Sequence, residues 1–141
     1  MDRYVPAGQQ DLPVLFRLNK QLIEDYEDLS SIDCDRVFGW VQRNLEETLP
    51  HFRKILRAGV PVGFFCLKGT ELDSLFVFPE FQGQGIGTDV IRFCQDRSPS
   101  LFLYVFRKNT RAVALYRRMG FQILKEVGKT RYIMEWKNQD R

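Results

Sequence analysis

The apolar positions of this chain change period six times, and the changes divide it into helical and extended stretches. Arg3 to Pro6 reads as a short first strand. Asp11 is suited to cap a helix, and Leu12, Leu15, Phe16, Leu22, Ile23 and Tyr26 then recur at spacings of three and four, as on a helix with one buried side. Asp33 or Asp35 is suited to cap a second helix carrying Val37, Phe38, Val41, Leu45 and Leu49 on one face. From Phe52 the period shortens. Phe52 to Leu56 and Val60 to Leu67 predict two strands joined by a tight turn at Ala58-Gly59. Thr70 to Phe78 predicts a third, stopped by Pro79.

The helical period returns over Gly85 to Gln95, with Ile86, Val90, Ile91 and Cys94 inward, and breaks at Ser98-Pro99-Ser100. Leu101 to Phe106 is apolar throughout, which predicts a strand covered on both faces. Asn109 or Thr110 is placed to cap a last helix in which Ala112, Val113, Leu115, Tyr116 and Met119 are apolar and Gly120 marks the stop. Phe121 to Val127 and Thr130 to Trp136 predict a hairpin about Gly128-Lys129, with Tyr132, Met134 and Trp136 alternating as half-buried strand residues. The order β-α-α-β-β-β-α-β-α-β-β implies an α/β fold, a mixed sheet of about seven strands with helices on both faces.

Composition narrows the class. A chain of 141 residues builds one domain with one sizeable core, not two. A net charge of +3, dispersed along the chain, argues against a nucleic-acid partner. No apolar run approaches membrane-spanning length, and Met1-Asp2-Arg3-Tyr4 does not begin a charged-then-apolar leader, so the expected location is cytoplasmic and no membrane partner is expected. Cys34, Cys66 and Cys94 are odd in number and far apart, which fits reduced thiols, Cys66 and Cys94 as small buried hydrophobes. With His51 as the single histidine, no transition-metal site is expected.

The most informative segment is Leu72-Asp73-Ser74-Leu75-Phe76-Val77-Phe78-Pro79-Glu80-Phe81-Gln82-Gly83-Gln84-Gly85-Ile86-Gly87, a strand that runs through a proline into a glycine turn and then a helix. Glycines at alternate positions leave the backbone N–H groups of Gly83 to Thr88 uncovered, and such a turn at a helix N-terminus suits a pyrophosphate. A dinucleotide fingerprint needs its third glycine one residue later, and a P-loop needs Gly-Lys-Ser/Thr where this chain has Gly87-Thr88-Asp89. Twenty-two residues beyond Gly87 comes Asn109-x-x-Ala112-x-x-Leu115-Tyr116-x-x-x-Gly120-Phe121.

The Gln82-x-x-Gly85-x-Gly87 turn and this second block together resemble the GNAT superfamily of acetyl-coenzyme A-dependent N-acetyltransferases, and the element order resembles that fold along essentially the whole chain. The resemblance implies direct acetyl transfer to a primary amine with acetyl-coenzyme A as co-substrate and no metal. It assigns the pyrophosphate to the backbone of Gly83, Gln84, Gly85, Gly87 and Thr88, beside Gln82. It pairs the pantetheine arm with the backbone of Phe76 and Val77, with one N–H near Val77 facing the thioester carbonyl, and gives Asn109 a hydrogen bond to that arm. Tyr116 becomes the acid that protonates the departing thiolate, a step that helps because the parent thiol has a pKa of about 8.5. Asp73 is the first choice of base and Glu71, two residues earlier, the second; Asp is short, and a water relay is a third route.

Glu24, Asp25, Glu27, Asp28, Asp33 and Asp35 fall in a window without one Lys or Arg, while the remaining chain carries all 21 basic residues. Glu24 to Asp28 lie at the C-terminal end of the first helix, where the macrodipole disfavours anions. In this fold the connection between the first two helices borders the acceptor channel. Glu24, Glu27 and Asp28 are therefore expected to attract a cationic amine such as a polyamine, an aminoglycoside or a lysine side chain; a solvated charged loop explains the run equally simply. Alternatives to a small-amine acetyltransferase are a non-catalytic module that holds coenzyme A, and an enzyme acting on a protein amine or a charged transfer RNA. Tyr132 and Trp136 would suit a homodimer contact through the last strands.

Overall fold

The computed structural model describes residues 2–139, so that Met1 lies outside it. In chain order the elements are β1 (Asp2–Pro6), α1 (Leu12–Tyr26), α2 (Cys34–Thr48), β2 (Phe52–Arg57), β3 (Val60–Lys68), β4 (Glu71–Val77), α3 (Ile86–Arg97), β5 (Ser100–Phe106), α4 (Thr110–Arg118), β6 (Gln122–Val127) and β7 (Arg131–Lys137). This is the order expected from the periodicities, with boundaries moved by a residue or two. Four single-turn 3-10 segments, at Gln9–Asp11, Leu29–Ser31, Leu49–His51 and Pro79–Phe81, are too short for any periodicity to reveal. No described helix is long and apolar enough to cross a membrane.

The strands form one sheet in the order β1-β2-β3-β4-β5-β7-β6. Every neighbouring pair is antiparallel except β4 and β5. That parallel pairing is brief: Glu71 stands opposite Phe102, the Phe102 N–H donates to the Thr70 carbonyl at 2.9 Å, and beyond this point the strands part. A bulge accompanies the parting. Leu67 and Cys66 of β3 face Leu72 and Ser74 of β4, leaving Asp73 as the extra residue, and a bulged strand bends away from its neighbour.

Two apolar clusters cover the two faces. One, under α3 and α4, joins Ile86 and Val90 of α3 to Ile55, Phe65, Leu72, Leu103 and Met134 of the sheet, among others. The other, under α1 and α2, joins Leu15, Val41 and Leu45 of those helices to Phe52, Phe64 and Cys66 of the sheet. The doubly covered strand is β3, buried without interruption from Val62 to Cys66. The sequence assigned that place to β5. There Leu101, Leu103 and Val105 are buried but Tyr104 is 45% exposed, because α1 and α2 bury their apolar faces against β2 and β3 and leave most of the other face of β5 open.

Several local signals hold in the structure. Asp33 caps α2 by accepting from the Arg36 N–H at 3.2 Å, and Asn109 caps α4 by accepting from the Ala112 N–H at 3.2 Å. Ala58 (φ 52°) and Gly59 (φ 79°) take the left-handed pair that a two-residue hairpin turn requires. Asp11 is a correction. Its carboxylate makes no cap to α1; it accepts from the Gly8 N–H at 2.9 Å and pairs with Lys54 at 3.0 Å, which tethers the start of α1 to β2. Tyr132, Met134 and Trp136 share the face of β7 that packs on the cluster under α3 and α4, with Tyr132 and Trp136 half-buried as expected, while Arg131, Ile133 and Glu135 turn to the opposite face.

Candidate active site

Where β4 and β5 part, a cavity of about 610 Å³ opens, walled by α1, the end of β4, the glycine turn and α4. A sheet pulled open in this way exposes backbone groups that a strand would otherwise pair. The Phe78 N–H donates to the Val62 carbonyl at 2.9 Å. By the two-residue period of an antiparallel ladder, Phe76 also turns its N–H and C=O to β3, while Leu75 and Val77 turn theirs to the gap. The expected pair Phe76 and Val77 is thus corrected to Leu75 and Val77 for any ligand that adds to this edge; Phe76 lines the cavity without offering it free backbone groups. β4 lies so close to β3 here that a Cβ on Gly63 would collide with the Phe76 carbonyl oxygen.

The turn after β4 needs its glycines for conformation. Gly83 (φ 80°) and Gly85 (φ 82°) are left-handed, and a Cβ added at either would meet nothing within 4 Å. Gly85 is the N-cap of α3, so the first N–H groups of that helix face outward with the positive end of its dipole. Gly87 serves a different purpose: a Cβ there would stand 3.4 Å from Leu115 and 3.9 Å from Leu75, at the close approach of α3 to its neighbours. Side chains fasten the turn from both sides. Gln82 donates from Nε2 to the Val77 carbonyl at 3.0 Å and accepts at Oε1 from Arg111 at 2.8 Å. Gln84 accepts from Arg57 at 3.1 Å, and Arg57 is in turn held by Asp2. Gln82, Gly83, Gly85, Gly87 and Thr88 line the cavity; Gln84 does not.

Asn109 and Tyr116 stand on the opposite wall. The Asn109 carbonyl oxygen is used by the α4 cap, which leaves its amide N–H groups for a ligand. Tyr116 packs its ring on Phe121 with centroids 5.6 Å apart and is only 9% exposed. Burial pushes its hydroxyl well above the ordinary tyrosine range, so the group holds its proton throughout neutral and alkaline conditions. No described side-chain polar atom is both buried and unpartnered.

The carboxylates fall differently from expectation. Asp73 lies outside the cavity wall, 3.7 Å from Lys68 and accepting from the Ser74 hydroxyl at 3.0 Å. Glu71 shares the same lysine at 4.0 Å, and burial with the nearby Asp73 charge pushes its carboxyl up. The bulge sets both beside buried Cys66, whose thiol is pushed up to about 12, chiefly by burial. Of the acidic run, Glu24, Glu27 and Asp28 do not line the cavity. Glu27 and Asp28 instead fasten the turn after α1, with Glu27 accepting from the Asp28 N–H and Asp28 from the Ser30 N–H and hydroxyl. The helix decides this: Leu18, Gln21, Leu22, Asp25 and Tyr26 share one stripe, and that stripe faces the cavity. Asp25, held by Gln21 at 2.8 Å, is the acid it presents.

Gln21 and Arg111 line the cavity without having been singled out in the sequence, and Asp25 stood out there only as one member of the acidic run. Gln21 and Asp25 do carry a signal, at i+3 and i+7 from Leu18 on one face of α1, but mixed polarity hides it from a search for apolar repeats. Among the described residues, no group of three His, Cys, Asp or Glu gathers as for a metal.

A model of the acetyltransferase (GNAT) family matches residues 15–121. The peptidyl-lysine N-acetyltransferase YjaB of Salmonella typhimurium is 41% identical over 63 residues, 45% of this chain and 43% of that protein. YiaC of Escherichia coli, of the same description, is 33% identical over 84 residues, 55% of this chain and 58% of its own. The chain therefore spans roughly half the length of the curated relatives it matches. Among solved structures, the PaiA N-acetyltransferase of Thermoplasma acidophilum in complex with coenzyme A superposes with a TM-score of 0.68 over 98% of this chain and 99% of that one, at 17% identity. Fold, glycine turn and family match concur, and this chain belongs to the GNAT family of acetyltransferases.

Proposed function

We propose that this protein transfers an acetyl group from acetyl-coenzyme A directly to a primary amine, and that the amine is the side chain of a protein lysine. The observation that supports it is one cavity joining an outward helix N-terminus, an unpaired β4 edge and a buried, protonated tyrosine. The fit to the co-substrate is good: the left-handed glycines leave open space where any Cβ would intrude, and the N–H groups of Gly85, Gly87 and Thr88 suit a pyrophosphate. Bound there, acetyl-coenzyme A supplies an activated thioester.

This chain's residues do the rest. The Leu75 and Val77 backbone holds an amide-bearing arm as an added strand, with the Val77 N–H as the donor that steadies negative charge on a carbonyl oxygen, since Gln82 already occupies the Val77 carbonyl. Asn109 orients the same arm. The Tyr116 hydroxyl gives a proton to the departing sulfur. Asp25 draws in the alkylammonium, which must then lose a proton, as a lysine amine has a pKa of about 10.4. Lys68 and Ser74 hold Asp73 off the cavity wall, and the proton therefore leaves through water, with Asp73 and Glu71 as its terminal acceptors.

The lysine is preferred over a free polyamine because YjaB and YiaC bear the name of peptidyl-lysine acetyltransferases. A cytoplasmic setting is supported by free Cys66 and Cys94, both wholly buried, and by the co-substrate. The test is coenzyme A release with mass analysis of the acceptor, using lysine peptides, spermidine and an aminoglycoside. Acetylated peptide is the expected product. Tight acetyl-coenzyme A binding without transfer to any amine would make the protein a binding module instead.

A further inference from the structure

From the mouth of the cavity an uncovered strip runs out along β5 and β7. Tyr26, on the cavity wall, stacks on Phe106 with centroids 6.2 Å apart, and the Arg131 guanidinium lies over the same ring at 5.9 Å. Further along the same face comes Tyr104, with Ile133 opposite it on β7. Around this apolar floor stand four cations: Lys108 past the end of β5, Lys125 opposite Ile133 on β6, Lys129 in the β6–β7 turn, and Arg131. All four are exposed and none makes an ion pair among the described residues, whereas Glu126 is taken by Arg107 at 3.5 Å and Glu135 by Lys137 at 3.8 Å. One carboxylate does feel them. Asp28 in the turn after α1 is held low chiefly by Ser30, with Lys108 and Lys129 adding to the effect.

The charges therefore fall in two zones. At the cavity wall Asp25 suits a single ammonium group, and outside it a ring of cations suits anions. We propose that the open face of β5 and β7 docks the protein segment flanking the acceptor lysine, and that the segment it selects is acidic. The inference rests on the lysine reading above and adds the sequence context of that lysine. Exposed ion pairs contribute little singly and are screened by salt, and three or four acting together are expected to set a preference of roughly tenfold.

The test compares three peptides that share one central lysine, flanked by aspartates, by alanines or by arginines, with n-butylamine as an acceptor too small to reach the strip. In the wild type, kcat/KM falls from acidic to neutral to basic flanks by about tenfold per step, and less at high salt. In the triple variant Arg131→Glu, Lys108→Glu, Lys129→Glu, the order reverses while the butylamine rate stays unchanged, which also shows that the variant folds. Equal rates for all three peptides, or a preference that survives charge reversal, overturns the inference and leaves the lysine reading standing. Turnover of butylamine without any peptide overturns both. A dimer seen by sedimentation that dissociates on charge reversal, with peptide preference unaltered, makes the face a contact between copies and overturns the inference as well.

Discussion

Tyr116 combines two properties that rarely coincide in a residue read only as core. It is buried enough to keep its proton and still lines the cavity. Tyr116→Phe should lower kcat by about a hundredfold and leave acetyl-coenzyme A affinity unchanged by calorimetry. Because burial raises its hydroxyl, the acid stays loaded as pH rises, and the wild-type kcat profile should show no falling limb from this group below about pH 10. A fall in the ordinary tyrosine range that vanishes in the Phe variant would contradict the placement. Asp25→Asn should raise KM for a lysine peptide about tenfold, with KM for acetyl-coenzyme A unmoved. The same substitution at Glu24, off the cavity wall, is the control.

Among the elements, β4 and the turn after it are the most constrained. Gly63→Ala drives a methyl group into the Phe76 carbonyl and must push β3 and β4 apart. A loss of roughly 2–3 kcal/mol in denaturant unfolding is expected, together with weaker acetyl-coenzyme A binding because the open edge shifts. Gly85→Ala separates conformation from contact. Its methyl meets nothing, so the stability cost should be only the left-handed penalty of about 1–2 kcal/mol. Its loss of acetyl-coenzyme A affinity should exceed that figure, since the methyl enters the space assigned to the pyrophosphate. A variant that binds normally would remove the glycine turn from the site.

At the scale of the whole molecule, two apolar clusters share one sheet through β2 and β3. Phe52 and Ile55, like Phe64 and Phe65, point to opposite sides, so each strand belongs to both clusters. Leu15→Ala on the inner face of α1 and Met134→Ala beneath α3 and α4 should each cost about 2–5 kcal/mol, and each should lower the melting point in one cooperative calorimetric transition. Two separate transitions in either variant would show that the faces unfold independently. The cavity depends on this shared sheet: β4 is anchored by β3 along one edge and released by β5 along the other.

The sequence alone determined what depends on neighbours along the chain. Helical and strand periods, the Asp33 and Asn109 caps, the Ala58-Gly59 turn, the glycine turn and the block around Tyr116 are all local, and each appears where its pattern placed it. Tertiary structure decided which face of an element meets what. It placed Asp25 instead of Glu24, Glu27 and Asp28 on the cavity wall, drew Asp73 away to Lys68, turned Tyr132 and Trp136 inward and left Tyr104 uncovered. A charged residue carries no periodic sign of the face it occupies, and a bulge that parts two strands is a relation between partners distant in sequence. The sheet had to be assembled before the acceptor side of the site existed.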